Sequence, residues 1–316
     1  MKKSNKPVYS IVVPVYNEEA VLGLFYDRVT LIMDSVGEPY EMVFVNDGSC
    51  DASDSILKVL AEKDTRVRVC TFSRNFGQQS ALLCGLAHAS GDAIIDMDAD
   101  LQDPPELVLD MIAKWKEGFD VVHGKRAKRK GESVFKKITA YFYYKALAKI
   151  TGLDIPRNTG DFKLLDRKVV NSILSMGEHE RLLRAQTTWV GFKQTYIEFV
   201  RPPRAAGETK YTLKKMLSLA HDGIVPNSVK LLSLPVTFGL IFLLLSISCM
   251  ITFIVLSFVG GGIDYGGLVA WIFPSLGLCL SVYLLNSGLT NVYLASIFKE
   301  VQNRPKYIVR EKINLD

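Results

Sequence analysis

The chain has 316 residues, 48% of them hydrophobic and 22% charged, and a formal net charge of +5. That composition excludes a disordered protein, and the length suits one large domain or two small ones. No nucleic-acid partner is expected.

The opening MKKSNKPVYS is basic but runs straight into a strand-like segment, without the apolar stretch of a secretion signal, so no cleavable leader is expected. Short β-branched runs then alternate with segments of helical period. Strands are predicted at 10–15, 41–46, 68–73, 93–97 and 120–124. Helices are predicted at 19–36, 53–63, 78–89 and 105–118, the last opened by prolines, which suit a helix start. This alternation predicts an α/β fold, a parallel sheet with crossover helices forming a Rossmann-like nucleotide-binding core. Ligands in such sheets sit at the carboxyl ends of the strands.

Polar clusters fall at those ends. The first strand leaves through PVYNEE (14–19) and the second through NDGSCD (46–51). Glu18 and Asp47 offer acceptor oxygens for a base N–H or a ribose hydroxyl, although NDGS alone would also serve as a plain strand-exit turn. The fourth strand leaves through DMDADLQDPPE, where Asp96, Asp98, Asp100 and Asp103 crowd together. Carboxylates at that density repel unless a positive charge sits among them. A divalent Mg2+ or Mn2+ bridging a diphosphate suits Asp98, Asp100 and the amide oxygen of Gln102. A solvated acidic loop is the alternative for this cluster by itself.

Beyond residue 124 come a basic stretch, KRAKRKGES, and FKKITAYFYYKALAKI, a helix rich in aromatics and lysines that packs on the sheet or lies at a membrane interface. The five cysteines and four histidines are scattered and form no CxxC pair, so neither a disulfide framework nor a zinc site is expected. The runs 231–259 and 268–297 contain no charged residue. Each exceeds the roughly 20 apolar residues of a membrane-crossing helix, and two such helices are predicted. The short connection GGGIDYGG has no Lys or Arg, whereas Lys214, Lys215 and Lys230 precede the first run and Lys299, Arg304, Lys306, Arg310 and Lys312 follow the second. The positive-inside bias then places both termini in the cytosol. The expected organisation is a cytosolic catalytic domain (1–200), a basic juxtamembrane linker (201–230), two transmembrane helices (231–297) and a cytosolic tail (298–316), in the cytoplasmic membrane.

With PVYNE, NDGS and DMDADLQD in this order, the chain resembles the family 2 glycosyltransferases of GT-A fold, and among them the polyisoprenyl-phosphate hexose synthases with a two-helix anchor. The resemblance implies Pro14, Tyr16, Glu18 and Asp47 around base and ribose, and Asp98, Asp100 and Gln102 at metal and diphosphate. It implies Arg126 after the fifth strand, with Arg204 and Lys210 of RPPRAAGETKY (201–211), on the lipid phosphate. Asp161 of NTGDFKLLDRK (158–168) would act as base or orient the acceptor, and EHERLLRAQTTWVGF (178–192) would lie near the sugar. Asp100, Asp161 and Arg126 are thus the expected catalytic residues. Asn46 departs from the family's Asp-Asp-Gly-Ser.

The implied activity is inverting transfer of one hexose from a nucleotide sugar, UDP-glucose foremost, to undecaprenyl phosphate. A homo-oligomer, a flippase and a downstream glycosyltransferase are the implied protein partners. Two spans are too few to line a polymer channel and the QxxRW pattern is missing, which argues against a processive synthase. An inactive membrane scaffold is opposed by the intact acidic cluster. A dinucleotide oxidoreductase is opposed by the lack of GxGxxG after the first strand.

Overall fold

The computed structural model describes residues 6–126, 159–177, 183–200 and 265–315, together with 248, 251 and 255. Its core is built from strands β1 (Tyr9–Val15), β2 (Tyr40–Asn46), β3 (Val67–Phe72) and β4 (Ala93–Asp96), separated by helices α1 (Leu22–Val36), α2 (Ser53–Lys63) and α3 (Gln78–His88). The strands β1, β2 and β4 are nearly continuous apolar runs because both of their faces are covered. Helix α4 (Leu107–Lys116) and strand β5 (Val121–Arg126) follow, then β6 (Thr159–Asp166), α5 (Arg167–Ser175), α6 (Leu183–Trp189), β7 (Gln194–Phe199), α7 (Tyr265–Gln302) and β8 (Val309–Ile313).

One eight-stranded sheet runs in the order β7-β5-β6-β4-β1-β2-β3-β8. Helices α1, α2 and α4 pack on one face through Phe25, Leu57 and Met111, and α3, α5 and α6 on the other through Leu82, Val170 and Leu183. Each large apolar side chain so buried contributes about 1.5–3 kcal/mol. Helix α3 lies so close to β1 that a Cβ on Gly85 would come within 2.2 Å of Val12 Cγ1.

The sheet is not wholly parallel, which corrects the expectation from sequence. β6 enters between β4 and β5 antiparallel to both, and β8 closes the β3 edge antiparallel. β6 carries a lysine and two aspartates in eight residues, so its strand character is masked by polar residues that turn out to be wholly or partly buried. Within the segment predicted as a tail, α7 continues to Gln302 and residues 309–313 form a further strand of the sheet.

The described residues form two compact units, the sheet with α1 to α6 and, separately, α7. α7 is a continuous helix of 38 residues. Among the described residues no helix is long and apolar enough to cross a membrane. The first apolar run, apart from Ser248, Ile251 and Val255, lies outside the described residues, as do the segment 127–158 and the linker bearing Arg204 and Lys210.

At the amino ends of the strands a buried network closes the sheet away from the polar loops. Glu41, 2% exposed, accepts from Ser10 Oγ at 2.6 Å and from the Ser90 backbone N–H at 2.6 Å, and pairs with Arg68 at 2.7 Å.

Candidate active site

The order β4-β1-β2 sets the three polar strand ends side by side. The β1 and β2 loops are laced together. The Asn17 N–H donates to Ser49 Oγ at 3.0 Å, the Cys50 N–H to Asn17 Oδ1 at 2.9 Å, and the Glu18 N–H to Ser53 Oγ at 3.0 Å. Asn17 takes φ +54°, a left-handed conformation that asparagine tolerates better than most residues. Asn46 Oδ1 accepts the Ser49 N–H and its Nδ2 donates to Asp54, so the asparagine at this position shapes the turn. Pro14 is half-buried and Tyr16 is 38% exposed at the rim.

Asp47 holds the next loop in place. Its two oxygens accept the backbone N–H groups of Phe76 (2.6 Å) and Gly77 (2.9 Å), at the entry to α3. Burial pushes its carboxyl above the usual range, and these two donors pull it back in part. Gly48 makes the approach possible: its φ is +66°, and a Cβ there would lie 2.5 Å from the backbone carbon of Arg74.

Below β4, Asp100 Oδ1 accepts the Gln102 N–H at 3.1 Å around Leu101, which has φ +56° and is 4% exposed. Burying the leucine offsets the strain of that turn and aims Asp98, Asp100 and Gln102 from one short loop. Gln78 Nε2 donates to Asp98 Oδ1 at 2.8 Å. The neighbouring Gln79 turns to β6, where its Nε2 lies 3.5 Å from Asp161 Oδ2 and its Oε1 accepts the Leu183 N–H at 3.1 Å. Arg184 Nη2 stands 3.7 Å from Asp161 Oδ1. Arg126 ends β5 against Gly160, the residue before Asp161.

The structure therefore gathers the loops of Pro14, Tyr16 and Glu18, of Asp47, and of Asp98, Asp100 and Gln102, and links them through α3 to Asp161 beside Arg126. Gln78 and Gln79 went unnoticed in the sequence, and Arg184 was covered only as part of the segment 178–192; two glutamines opening a helix directly after a strand exit were the available signal. Behind the site, Asp96 is fully buried, and burial lifts its carboxyl to about 7 against the pull of Lys163, with Asp161 adding to the rise. Two of the described cysteines and one histidine come together in space. Cys70 and Cys84 meet at 3.2 Å beside His88, with donor atoms within 4.8 Å of one another, although His88 Nδ1 lies 2.9 Å from the Cys84 carbonyl, which occupies that nitrogen.

Residues 10–174 match the model of Glycosyl transferase family 2. The chain is a family 2 glycosyltransferase. It is 47% identical over 311 residues to the uncharacterized glycosyltransferase YkcC of Bacillus subtilis, covering 98% of this chain and 95% of that one. It is 38% identical over 306 residues to the bactoprenol glucosyl transferase of Shigella phage SfII, covering 96% and 97%. Among solved structures, glucosyl-3-phosphoglycerate synthase from Mycobacterium tuberculosis aligns at 19% identity with a TM-score of 0.48, over 69% of this chain and 76% of that one. In this glycosyltransferase the family match ends within α5, so Arg184 and the β7 edge lie beyond it.

Proposed function

We propose that this glycosyltransferase moves one hexose, glucose foremost, from a UDP-sugar to a polyisoprenyl phosphate at the cytosolic face of the membrane. The observation that carries this is the convergence on the start of α3 of the donor side, through the Gln78–Asp98 hydrogen bond, and of Asp161 beside Arg126, which Gln79 approaches at 3.5 Å. Relatives named bactoprenol glucosyl transferase, matched over nearly their whole length, support the lipid acceptor.

Asp98, Asp100 and Gln102 present oxygen donors from one turn, a donor set that fits Mg2+ or Mn2+. Such an ion, when bound, supplies charge stabilisation on the departing diphosphate. Glu18 and Tyr16 line the nucleoside side, and Asp47 shapes it by holding the α3 entry. The acceptor phosphate oxygen attacks the anomeric carbon as the bond from that carbon to the diphosphate oxygen breaks, with inversion. Arg126 grips the acceptor phosphate, joined by Arg204 and Lys210 from the basic linker. A phosphate monoester with a second pKa near 6 is already largely dianionic at pH 7, so Asp161 serves to orient the acceptor or the sugar hydroxyls and not to remove a proton.

The membrane location rests on the two uncharged runs and the cationic flanks. In its support, Ile272, Leu276, Tyr283, Leu294 and Phe298 of α7 are each at least half exposed, a costly arrangement in water.

Membranes containing the protein, given undecaprenyl phosphate, Mg2+ or Mn2+ and a panel of nucleotide sugars, are expected to yield one glycolipid identifiable by mass. Asp100→Ala should lower its formation by roughly 100-fold or more while leaving the chain folded. Absence of divalent-dependent nucleotide-sugar binding would favour the inactive scaffold instead.

A further inference from the structure

Behind the site runs a row of buried polar side chains that the chemistry above leaves unused. Cross-strand register places Lys163 of β6 between Asp96 of β4 and His123 of β5. Lys163 and Asp96 are 1% and 0% exposed, and Lys163 Nζ stands 3.9 Å from Asp96 Oδ2. Neither that ammonium nor either Asp96 oxygen has a hydrogen-bond partner among the described residues. His123 offers the lysine no acceptor at Nε2, which is engaged with Gln194 Oε1 at 2.9 Å. A buried pair of this kind adds little stability over two apolar side chains, so packing alone gives no reason for it.

Its position does give one. Asp161 lies two residues from Lys163 on the same face of β6, about 7 Å along the strand. The contacts that seat Asp161 are long, 3.7 Å to Arg184 and 3.5 Å to Gln79, too long to fix a carboxylate by hydrogen bonding alone. An anionic acceptor and a diphosphate arriving in front of Asp161 would push it out of place. A charge sealed in the interior is poorly screened and acts over that distance.

We propose that Lys163 is a positioning residue for the transfer, its buried ammonium serving as the rear counter-charge that keeps Asp161 seated against Arg184 and Gln79 while the anionic substrates bind. Asp96 has the separate task of offsetting the cost of burying that ammonium. The proposal rests on the assignment of Asp161 to the transfer site made above.

The test compares Lys163→Met, Asp96→Asn and the double variant with the wild type, reading melting temperature, kcat and donor KM for glycolipid formation. Asp96→Asn is expected to melt lower yet keep kcat per folded molecule within about threefold of wild type. Lys163→Met is expected to lose kcat by roughly 10- to 100-fold at unchanged donor KM. The double variant, free of any unpaired buried charge, should regain its melting temperature and remain as slow as Lys163→Met; it decides the matter even if Lys163→Met alone does not fold. A double variant with wild-type kcat, or Asp96→Asn as slow as Lys163→Met, overturns the proposal and leaves a packing pair. A wild type that makes no glycolipid refutes the acceptor assignment, and Lys163's role with it.

Discussion

At the level of single residues, the absence of one carbon beside Arg126 has a measurable consequence. A Cβ on Gly160 would stand 2.7 Å from Arg126 Nη2. The obstacle is the far end of a flexible side chain, so the guanidinium swings aside while the backbone stays. Arg126 Nε has no hydrogen-bond partner among the described residues to resist that swing. Gly160→Ala is therefore expected to leave the melting temperature within about 2 °C and to raise KM for the polyisoprenyl phosphate roughly 5- to 10-fold, with donor KM unchanged. Steady-state kinetics with varied acceptor would show it; an unchanged acceptor KM would remove Arg126 from the lipid phosphate. Gly48 presents the opposite case, since its added Cβ would meet backbone and its φ is positive, so substitution there disturbs the fold of the donor loops as well as binding.

Between elements, the cross-strand row through β4, β6, β5 and β7 also carries a pH signature. His123 is 1% exposed, stacks on Tyr196 at 5.3 Å, and faces the cations of Lys163 and Arg184. Burial, aided by those two charges and opposed by the bond to Gln194, lowers its pKa to about 4. The unfolded chain takes up a proton near pH 6.5 while the folded chain resists until about 4, so the unfolded state binds more protons across that window. Stability present above pH 6.5 is thus lost as the pH falls toward 4, by about 3 kcal/mol from this residue. Melting curves at stepped pH should show that slope in the wild type and a flatter one in His123→Gln; equal slopes would assign the acid sensitivity to other groups.

The same row explains which elements were legible in the sequence. β1, β2 and β4 were, because strands covered on both faces must be apolar throughout, and the turn residues after them stand out by contrast. β6 was not, because a buried Lys163 and a half-buried Asp161 break the apolar pattern by which a strand is recognised. The carboxylates of the site were legible as clusters at strand ends. Gln78, Gln79 and Arg184 were not, since their meaning comes from which loops they join, and only the three-dimensional path of α3 and α6 reveals that. Arg204 and Lys210 fall outside the described residues.

For the whole molecule, the telling feature is that the chain, having left the catalytic sheet for α7, comes back to finish it. β8 pairs with β3 along Val69 to Phe72, Tyr307 stacks on Phe72 at 4.9 Å, and Asn314 Nδ2 donates to the carbonyls of Ala61 and Val67. Lys58 pairs with Glu311 at 2.8 Å and Arg310 with Asp54 at 3.3 Å, exposed contacts worth little individually. The backbone pairing matters more, because without it β3 would present an open edge of unpaired N–H and C=O groups. The tail also reaches the donor loops: the Ser73 N–H donates to the Ile308 carbonyl at 3.0 Å, three residues before the Phe76 amide that Asp47 holds. Ending the chain after Asn303 is accordingly expected to lower the melting temperature by several degrees and to weaken nucleotide-sugar binding as well, with greater aggregation on heating. Restoring the missing segment as a separate peptide should recover part of the binding, since the strand supplies its own backbone partners. A truncated protein that binds the donor as tightly as the full chain would limit β8 to covering the edge.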